Sequence, residues 1–219
     1  MTSLSPISSD QALADQVKDF VCSKVIPYEK DPRCTAHGPT EDLRIELNQL
    51  ARDAGLRVSD NLAADLKLAS MVLSSLPHDD ALREVGRQVC EGTPAGVALV
   101  DTSTVSMQAS AEVGQLCADT NHPYLRITVS GNNHMAESAQ LTVLASGARP
   151  DYDELLPALR CWGPNHFYLG EAEQARLMKL VINLMIAQTS AMLAEAMTLG
   201  RQGGLDWQTL WQVVGSSAV

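Results

Sequence analysis

Two polar residues share one face of a long, otherwise apolar segment near the end of the sequence. Lys179 and Asn183 are four positions apart, a spacing that puts both side chains on the same side of a helix. A lysine among apolar neighbours loses hydration, which favours the neutral amine and suits proton transfer. The pair is therefore a candidate for general acid–base chemistry, with Asn183 orienting a substrate. The structural alternative is that Lys179 extends its amine to solvent while Asn183 bonds a neighbouring backbone group.

A candidate anion site follows the apolar run YLRITVSG. Ser130 and Gly131 end this run, and exposed N–H groups in such a turn can bind a carboxylate. The same two residues are also common in ordinary turns. We expect the nearby His134 to be solvated, as a single loop histidine usually is. The hydroxyl residues up to Thr104, which end the run GVALVDTST, could cap the helix that follows them.

The composition limits the classes of function. The chain has 219 residues, of which 45% are apolar and 19% charged, as in a globular protein. Its net charge of -10 opposes binding to nucleic acid or to an anionic membrane. The 5 cysteines are scattered and include no Cys-x-x-Cys pair. We therefore expect free thiols, no metal site, and a location in the cytoplasm or another reducing compartment.

The pattern of apolar residues changes along the chain, and with it the type of element that is predicted to position these residues. Residues 1–56 are predicted to be helical, with helices over residues 10–27 and 40–55 and Thr40 as the N-cap of the second. In residues 57–169, short apolar runs alternate with helical patterns, which indicates βαβ units.

Four of these runs are predicted to be strands: SMVLSSLP, GVALVDTST, YLRITVSG and LTVLASG. The earlier ones are apolar on both faces, as is typical of parallel strands covered by helices. We predict an α/β fold, in which residues 58–168 form a partial Rossmann-type sheet. The sheet should be parallel or mostly parallel, have four or five strands and be flanked by helices.

Residues 170–219 are predicted to be helical. A long helix from about Gly170 to Gly200 is apolar on most faces, which is typical of a buried helix. Its polar residues, including Lys179 and Asn183, make it a poor membrane span. Asp206 can cap a short last helix.

Four segments of the sequence are LSSLPHDDALREV, VDTSTVS, VSGNNHMAESAQLTVLASG and KLVINLM. In this order and spacing they resemble the β-hydroxyacid dehydrogenases, a family that includes 3-hydroxyisobutyrate dehydrogenase. The resemblance spans about residues 55–219. It implies NAD or NADP as cofactor, and hydride transfer to or from a small β-hydroxy acid. It also implies that Lys179 is the catalytic acid or base and that Asn183 orients the substrate beside it.

The same resemblance implies roles for five other residues. Ser130 and Gly131 would bind the substrate carboxylate. Leu76 and Pro77 would contact the adenosine half of the cofactor, and Thr104 would lie near the nicotinamide.

The chain departs from the family pattern in three places. No G-x-G-x-x-G occurs in the sequence, although the family uses this loop to hold the pyrophosphate of the cofactor. The G-x-x-G-x-G loop before the catalytic helix carries Glu173 and Ala175, and we expect Glu173 to repel an acid substrate. Arg126 stands where an acidic residue is usual.

Only the start of the family's all-helical C-terminal domain is present, so we expect apolar faces of the 170–200 helix to be exposed and to support a homo-oligomer.

Residues 10–56 resemble instead the N-terminal helices of acyl-CoA dehydrogenases, through VKDFVCSKVIPYEKD and HGPTEDLRIELNQLARDAGL. We therefore interpret the chain as a fusion of segment 1–56 with a partial NAD(P)-binding domain, 57–169, and a truncated helical domain, 170–219. The leading hypothesis is an oxidoreductase of the 3-hydroxyisobutyrate dehydrogenase type with impaired cofactor binding. The alternatives are a non-catalytic fragment that self-associates, and an acyl-CoA or flavin module supported by the N-terminal helices alone.

Overall fold

The structure is a computed structural model, and it describes residues 34–35, 38–53, 55, 57–59 and 61–217. The helix predicted over residues 10–27 lies outside these residues. The chain divides into two units, Met1–Lys179 and Leu180–Val219.

A short strand pair and a helix precede the sheet. β1 (Cys34–Thr35) pairs antiparallel with β2 (Gly38–Pro39), and α1 (Glu41–Asp53) follows. This helix confirms the prediction for residues 40–55. Two acidic residues occupy its first turn, where the helix dipole favours negative charge, and Leu43 is fully buried.

Five strands form one sheet, whose spatial order is the chain order. The strands are β3 (Met71–Ser74), β4 (Ala98–Asp101), β5 (Tyr124–Ser130), β6 (Thr142–Ser146) and β7 (Asn165–Tyr168). The first four confirm the four predicted runs, whereas the run that forms β7 was not predicted. β3 lies at one edge of the sheet, and no described strand pairs with its outer side.

One pair in the sheet is antiparallel. β3 with β4, β4 with β5 and β6 with β7 are parallel, but β5 and β6 run in opposite directions. Only residues 131–141 connect β5 to β6, and a parallel crossover needs about a dozen residues or more. The prediction of a mostly parallel sheet is therefore confirmed, with this one reversal imposed by a short connection.

Helices cover both faces of the sheet. They are α2 (Leu62–Leu66), α3 (Asp79–Gly92), α4 (Met107–Asp119), α5 (Asn133–Glu137) and α6 (Arg149–Leu159). In β4, Leu99 belongs to a core cluster with α3 and α4, whereas Val100 belongs to a second cluster with α6. Alternate residues of one strand thus pack against opposite layers, which explains why its sequence is apolar throughout.

Two helices follow the sheet, α7 (Gln174–Gln202) and α8 (Trp207–Ser216). Asp206 caps α8, as predicted, by accepting a hydrogen bond from Thr209 N at 2.9 Å. The interpretation of α7 as a buried helix is wrong for the described residues, whereas the expected exposure of its apolar faces is confirmed, because Leu184 and Met185 are 60% and 65% exposed. By length and mean hydropathy, 1.5 in its richest window, α7 could cross a membrane, although core helices of soluble proteins pass the same test.

Candidate functional site

All of the predicted site residues except Asn183 lie along the carboxyl edge of the sheet. β3, β4 and β5 are parallel, so their carboxyl ends lie side by side. Leu76 and Pro77 follow β3, Thr104 follows β4, and Ser130 and Gly131 lie at the end of β5. Ligand sites of open α/β sheets commonly occur at this edge.

Lys179 reaches this edge from the first turns of α7. Its Nζ donates a hydrogen bond to the carbonyl of Val129 at 2.6 Å, and its side chain is half-buried. Val129 directly precedes Ser130, so the predicted acid–base residue and the predicted carboxylate site are neighbours. The amine is held by the backbone of β5 rather than extended freely into solvent. Asn183 lies on the same helix but in the second unit.

Gly131 gives the turn after β5 its conformation. Its φ is +150°, and a Cβ at this position would lie 2.6 Å from Leu141 Cδ2. Asn132 then caps α5 by accepting a hydrogen bond from Met135 N at 3.0 Å. The side chain of His134 is 92% exposed, in agreement with the expectation of a solvated histidine.

The cofactor side of the edge is more open. Leu76 N donates to Ser103 Oγ at 2.8 Å, while Pro77 and Thr104 are exposed. The cap of α4 is Ser106, whose Oγ accepts a hydrogen bond from Ala109 N at 3.1 Å. Thr104 is therefore not the capping residue, and its side chain faces solvent at the end of β4.

A buried ion pair that sequence reasoning missed lies behind this edge. Arg176, 2% exposed, contacts Asp101, which is fully buried at the end of β4. The guanidinium also donates to the carbonyl of Ser103, to Ser110 Oγ at 2.8 Å and to Tyr124 OH at 3.1 Å. The signal in the sequence was an arginine in the apolar 170–200 segment and an aspartate that ends an apolar strand.

The carboxylate of Asp101 has further partners. Its Oδ1 accepts hydrogen bonds from Ser74 Oγ and Ser103 Oγ, each at 2.6 Å. Ser74 belongs to β3 and Ser103 follows β4, so the carboxylate joins the two strands. This satisfies the requirement that a buried charge be paired and hydrogen-bonded.

A second ion pair bears on the expectation about Glu173. Arg126 Nε donates to Glu173 Oε1 at 2.6 Å, and the two side chains are 10% and 16% exposed. Arg126 also lies over the Tyr124 ring, 4.5 Å from its centroid. A Cβ on Gly114 would approach Arg126 Nη2 to 2.3 Å, so this glycine makes room for the guanidinium.

The two departures from the family pattern thus pair with each other. The negative charge of Glu173 is offset by Arg126 and lies 3.8 Å from Arg176 Nε. This pairing argues against a strong repulsion of an acid substrate by Glu173, and the repulsion itself stays a prediction. We call Asp101, Arg126, Glu173 and Arg176 the ionic cluster.

The pKa shifts agree with a closed polar interior. Burial alone would lower the pKa of Arg176, but Tyr124 and Asp101 raise it overall, so the guanidinium stays charged. Burial raises the pKa of Tyr124, against the opposing charge of Arg176. Tyr124 therefore stays a neutral hydrogen-bonding group at the pH of ordinary assays.

Three of the cysteines, Cys90, Cys117 and Cys161, are free thiols. Cys90 and Cys117 are buried with their Sγ atoms 3.6 Å apart, and Cys161 is exposed. Burial and the neighbouring Cys90 raise the pKa of Cys117 to about 12, which disfavours the nucleophilic thiolate. Within the described part of the chain, no three acidic, histidine or cysteine side chains are grouped to hold a metal ion.

A family model describing the NAD binding domain of 6-phosphogluconate dehydrogenase matches residues 42–170, more than half of the chain. The chain belongs to this family. The match begins inside α1, so it includes part of the segment that resembles acyl-CoA dehydrogenases. The boundary between residues 56 and 57 stays a prediction.

Two of the relatives are oxidoreductases by name. Glyoxylate/succinic semialdehyde reductase 2, chloroplastic, of Arabidopsis thaliana is 36% identical over 128 residues, which are 58% of this chain and 36% of the relative. 2-(Hydroxymethyl)glutarate dehydrogenase of Eubacterium barkeri is 26% identical over 167 residues, which are 75% of this chain and 56% of the relative. The chain therefore spans between about a third and just over half of the length of these relatives.

A solved structure shows the same fold. That of 3-hydroxyisobutyrate dehydrogenase from Mycobacterium tuberculosis with L-serine has a TM-score of 0.70 and 23% identity. The alignment covers 80% of this chain and 60% of that chain. The Rossmann-type α/β architecture is thereby confirmed. The resemblance to the hydroxyacid dehydrogenases is confirmed by the family match and the relatives above.

The edge of the sheet fits part of a nicotinamide dinucleotide. Leu76 and Pro77 offer apolar surface beyond β3, and Thr104 offers an exposed hydroxyl beyond β4. The pyrophosphate of such a cofactor needs backbone donors from a glycine-rich loop at a helix N-terminus, and the sequence contains no G-x-G-x-x-G. The residues present therefore fit the two ends of the cofactor better than its centre.

Proposed function

We propose that this chain carries the substrate side of an NAD(P)-dependent oxidoreductase site of the 3-hydroxyisobutyrate dehydrogenase type. Its substrate is a small β-hydroxy acid, and its cofactor is NAD or NADP. Cofactor binding is weak, because the sequence lacks the loop that holds the pyrophosphate.

One hydrogen bond carries this proposal. Lys179 Nζ is held 2.6 Å from Val129 O, directly before the turn formed by Ser130 and Gly131. A carboxylate bound by the N–H groups of this turn would bring a substrate hydroxyl towards the amine. The family match covers Val129, Ser130 and Gly131 and ends at residue 170, so it supports the turn, while the role of Lys179 rests on this hydrogen bond and on the resemblance.

The proton steps fall to the residues of this chain. As a neutral amine, Lys179 accepts the hydroxyl proton when the alcohol is oxidised, and as an ammonium it returns the proton in the reverse direction. Ser130 and Gly131 bind the substrate carboxylate, and Asn183 orients the substrate. A bound nicotinamide supplies the hydride acceptor or donor.

Cofactor binding and turnover test the proposal separately. NADH and NADPH are titrated against the purified chain, followed by assays of 3-hydroxyisobutyrate and related hydroxy acids with NAD and NADP. We expect measurable but weak binding, and turnover well below about 1 s⁻¹, the low end of ordinary enzyme rates. Undetectable binding of both cofactors would contradict the proposal. Turnover at ordinary rates would contradict the impairment.

The variant Lys179→Met isolates the acid–base role. It should lower turnover by about 100-fold or more and leave cofactor binding unchanged. The matched control is Lys67→Met, at an exposed lysine beyond α2, which should change neither quantity. Equal turnover in Lys179→Met and the parent chain would rule out the proposed role of Lys179.

The exposed surface of α7 favours a second candidate, a non-catalytic module that self-associates through residues 170–200. Leu184, Met185 and Ile186 are consecutive and each at least 60% exposed. Such an apolar surface is costly in water and is typical of an interface. Sedimentation analysis of Leu184→Glu, with Leu68→Glu (80% exposed in the parent) as control, tests this. Only the α7 variant should dissociate the oligomer, and a parent chain that is monomeric would refute this candidate.

Two further proposals concern partners and location. The net charge of -10 supports a chain that does not use nucleic acid or an anionic membrane as partner. The free thiols Cys90, Cys117 and Cys161 support the cytoplasm or another reducing compartment.

A further inference from the structure

We propose that Arg176 is a positioning residue that sets the place of the Lys179 amine against β5. This inference rests on the proposed acid–base role of Lys179 and adds a residue to that site. Arg176 itself is buried and does not reach the substrate side.

Arg176 fixes the start of α7 from several directions at once. Its guanidinium donates to Asp101 and the Ser103 carbonyl beyond β4, to Ser110 on α4, and to Tyr124 on β5. A planar guanidinium with this many partners has one position in which all of them are satisfied. The first turns of α7 therefore cannot slide or rotate without breaking bonds inside the protein.

Lys179 depends on that position because it lies one turn further along the same helix. Residues three apart on a helix are separated by about 4.5 Å along its axis and lie on neighbouring faces. The Lys179–Val129 hydrogen bond is 2.6 Å long. A shift of about 1 Å would lengthen it beyond the range of a hydrogen bond.

The remaining pair of the ionic cluster ties α7 to the strand that Lys179 contacts. Glu173 directly precedes α7, and its partner Arg126 is on β5, three residues before Val129. Thr128 Oγ1 adds a hydrogen bond to Ala175 O at 3.2 Å. The start of α7 is thus held against β4 by Arg176 and against β5 by Glu173.

The energetics of buried ion pairs favour a geometric role. Removing two opposite charges from water costs about as much as their attraction returns, so such a pair adds little net stability over apolar packing. What the cluster does provide is a fixed orientation.

The accessibility of the Lys179 amine tests the proposal without cofactor or substrate. The folded chain is treated with trace acetic anhydride, and acylation of Lys179 is measured by mass spectrometry relative to the exposed Lys67. In Arg176→Lys, which keeps one charge but loses the fork of donors, Lys179 acylation should rise about fivefold, the factor for losing one hydrogen bond. Glu173→Gln should give a smaller rise in the same direction.

A core variant separates positioning from general loosening. Leu155→Ala removes buried volume from the cluster packed against α6, and it should leave the Lys179 to Lys67 ratio unchanged. If Arg176→Lys does not fold, Glu173→Gln carries the test. An unchanged ratio in the folded variants of the ionic cluster, or an equal rise in Leu155→Ala, would overturn the proposal. A failure of cofactor binding or turnover would refute the proposed function and leave this result intact.

Discussion

The two ends of the sheet's carboxyl edge differ in how their polar groups are held. Beside α7, Arg176 and Asp101 are buried, and each has several partners in the chain. Beyond β3, Pro77 and Thr104 face solvent and offer surface rather than fixed donors. The comparison teaches that the side proposed for acid–base chemistry is held by bonds within the chain, whereas the side proposed for the cofactor is more exposed.

The largest effect should come from breaking the buried pair. Arg176→Met leaves the Asp101 carboxylate buried without its counter-charge, which should cost about 3–5 kcal/mol of unfolding free energy. Urea denaturation followed by circular dichroism measures it. Arg87→Met, which removes half-exposed ion pairs on α3, is the control and should change stability little. An equal loss of unfolding free energy in Arg176→Met and Arg87→Met would contradict the contrast between the two regions.

The turn at Gly131 should give the next largest effect. Gly131→Ala forces a side chain onto a φ of +150° and towards Leu141, and should cost about 1–3 kcal/mol. At Gly96 the φ is +90° and no atom lies within 4 Å of the added Cβ, so Gly96→Ala isolates the backbone strain. A smaller loss in Gly131→Ala than in Gly96→Ala would show that the contact with Leu141 relaxes freely.

The first turns of the helices near the proposed cofactor side should make the stability of the protein depend on pH. Hydrogen bonds from Ser106, through its Oγ at 2.6 Å and its N at 2.9 Å, lower the pKa of Asp79. Because the folded pKa is depressed, the contribution to stability is present above the unfolded value, near 3.8, and is lost as pH falls through the folded value.

Asp79→Asn should therefore cost about 1 kcal/mol at pH 7 and reduce the acid dependence of unfolding below about pH 4. The control is Asp80→Asn, at a neighbouring side chain that is 89% exposed. Urea midpoints at pH 7 and pH 3 measure both. Parallel curves for Asp79→Asn and the parent chain would contradict this prediction.

The smallest effect should be at Thr104. Thr104→Ala should change unfolding free energy by no more than about 0.5 kcal/mol, because the exposed hydroxyl has no structural task such as capping α4. If the proposed nicotinamide contact is correct, the same variant weakens NADH binding. A stability loss above about 1 kcal/mol would show that the cofactor side is as firmly built as the α7 side.

The sequence predicted which residues form strands better than it predicted which strands pair and in which direction. The run GVALVDTST predicts β4 because a strand covered on both faces needs apolar residues at every position. The run NHFY of β7 has two polar residues followed by two aromatic ones, so it shows no strand alternation and is too short to distinguish from a loop. The reversal between β5 and β6 was open to sequence reasoning, because the runs YLRITVSG and LTVLASG are separated only by residues 132–140, too few for a parallel crossover.

The candidate site also contains residues that the sequence predicted and residues that it did not. Lys179 was predicted from its spacing to Asn183, which is a local property of the sequence, and from the family resemblance. Arg176 and Asp101 are 75 residues apart, and Arg126 and Glu173 are 47 apart. Charge pairs at such separations leave no periodic signal, so the neutralisation of Glu173 could only be seen in the folded chain.

The edge position of β3 has a consequence for how the chain behaves in solution. Along its outer side, no described strand accepts or donates backbone hydrogen bonds, and Leu73 is 52% exposed. Amide protons on that side should exchange with deuterium far faster than those of β5, which has a neighbour on each side. An apolar edge that no described strand pairs with is also a template on which further strands can assemble, so concentrated solutions should tend to form β-rich aggregates that Leu73→Lys would suppress.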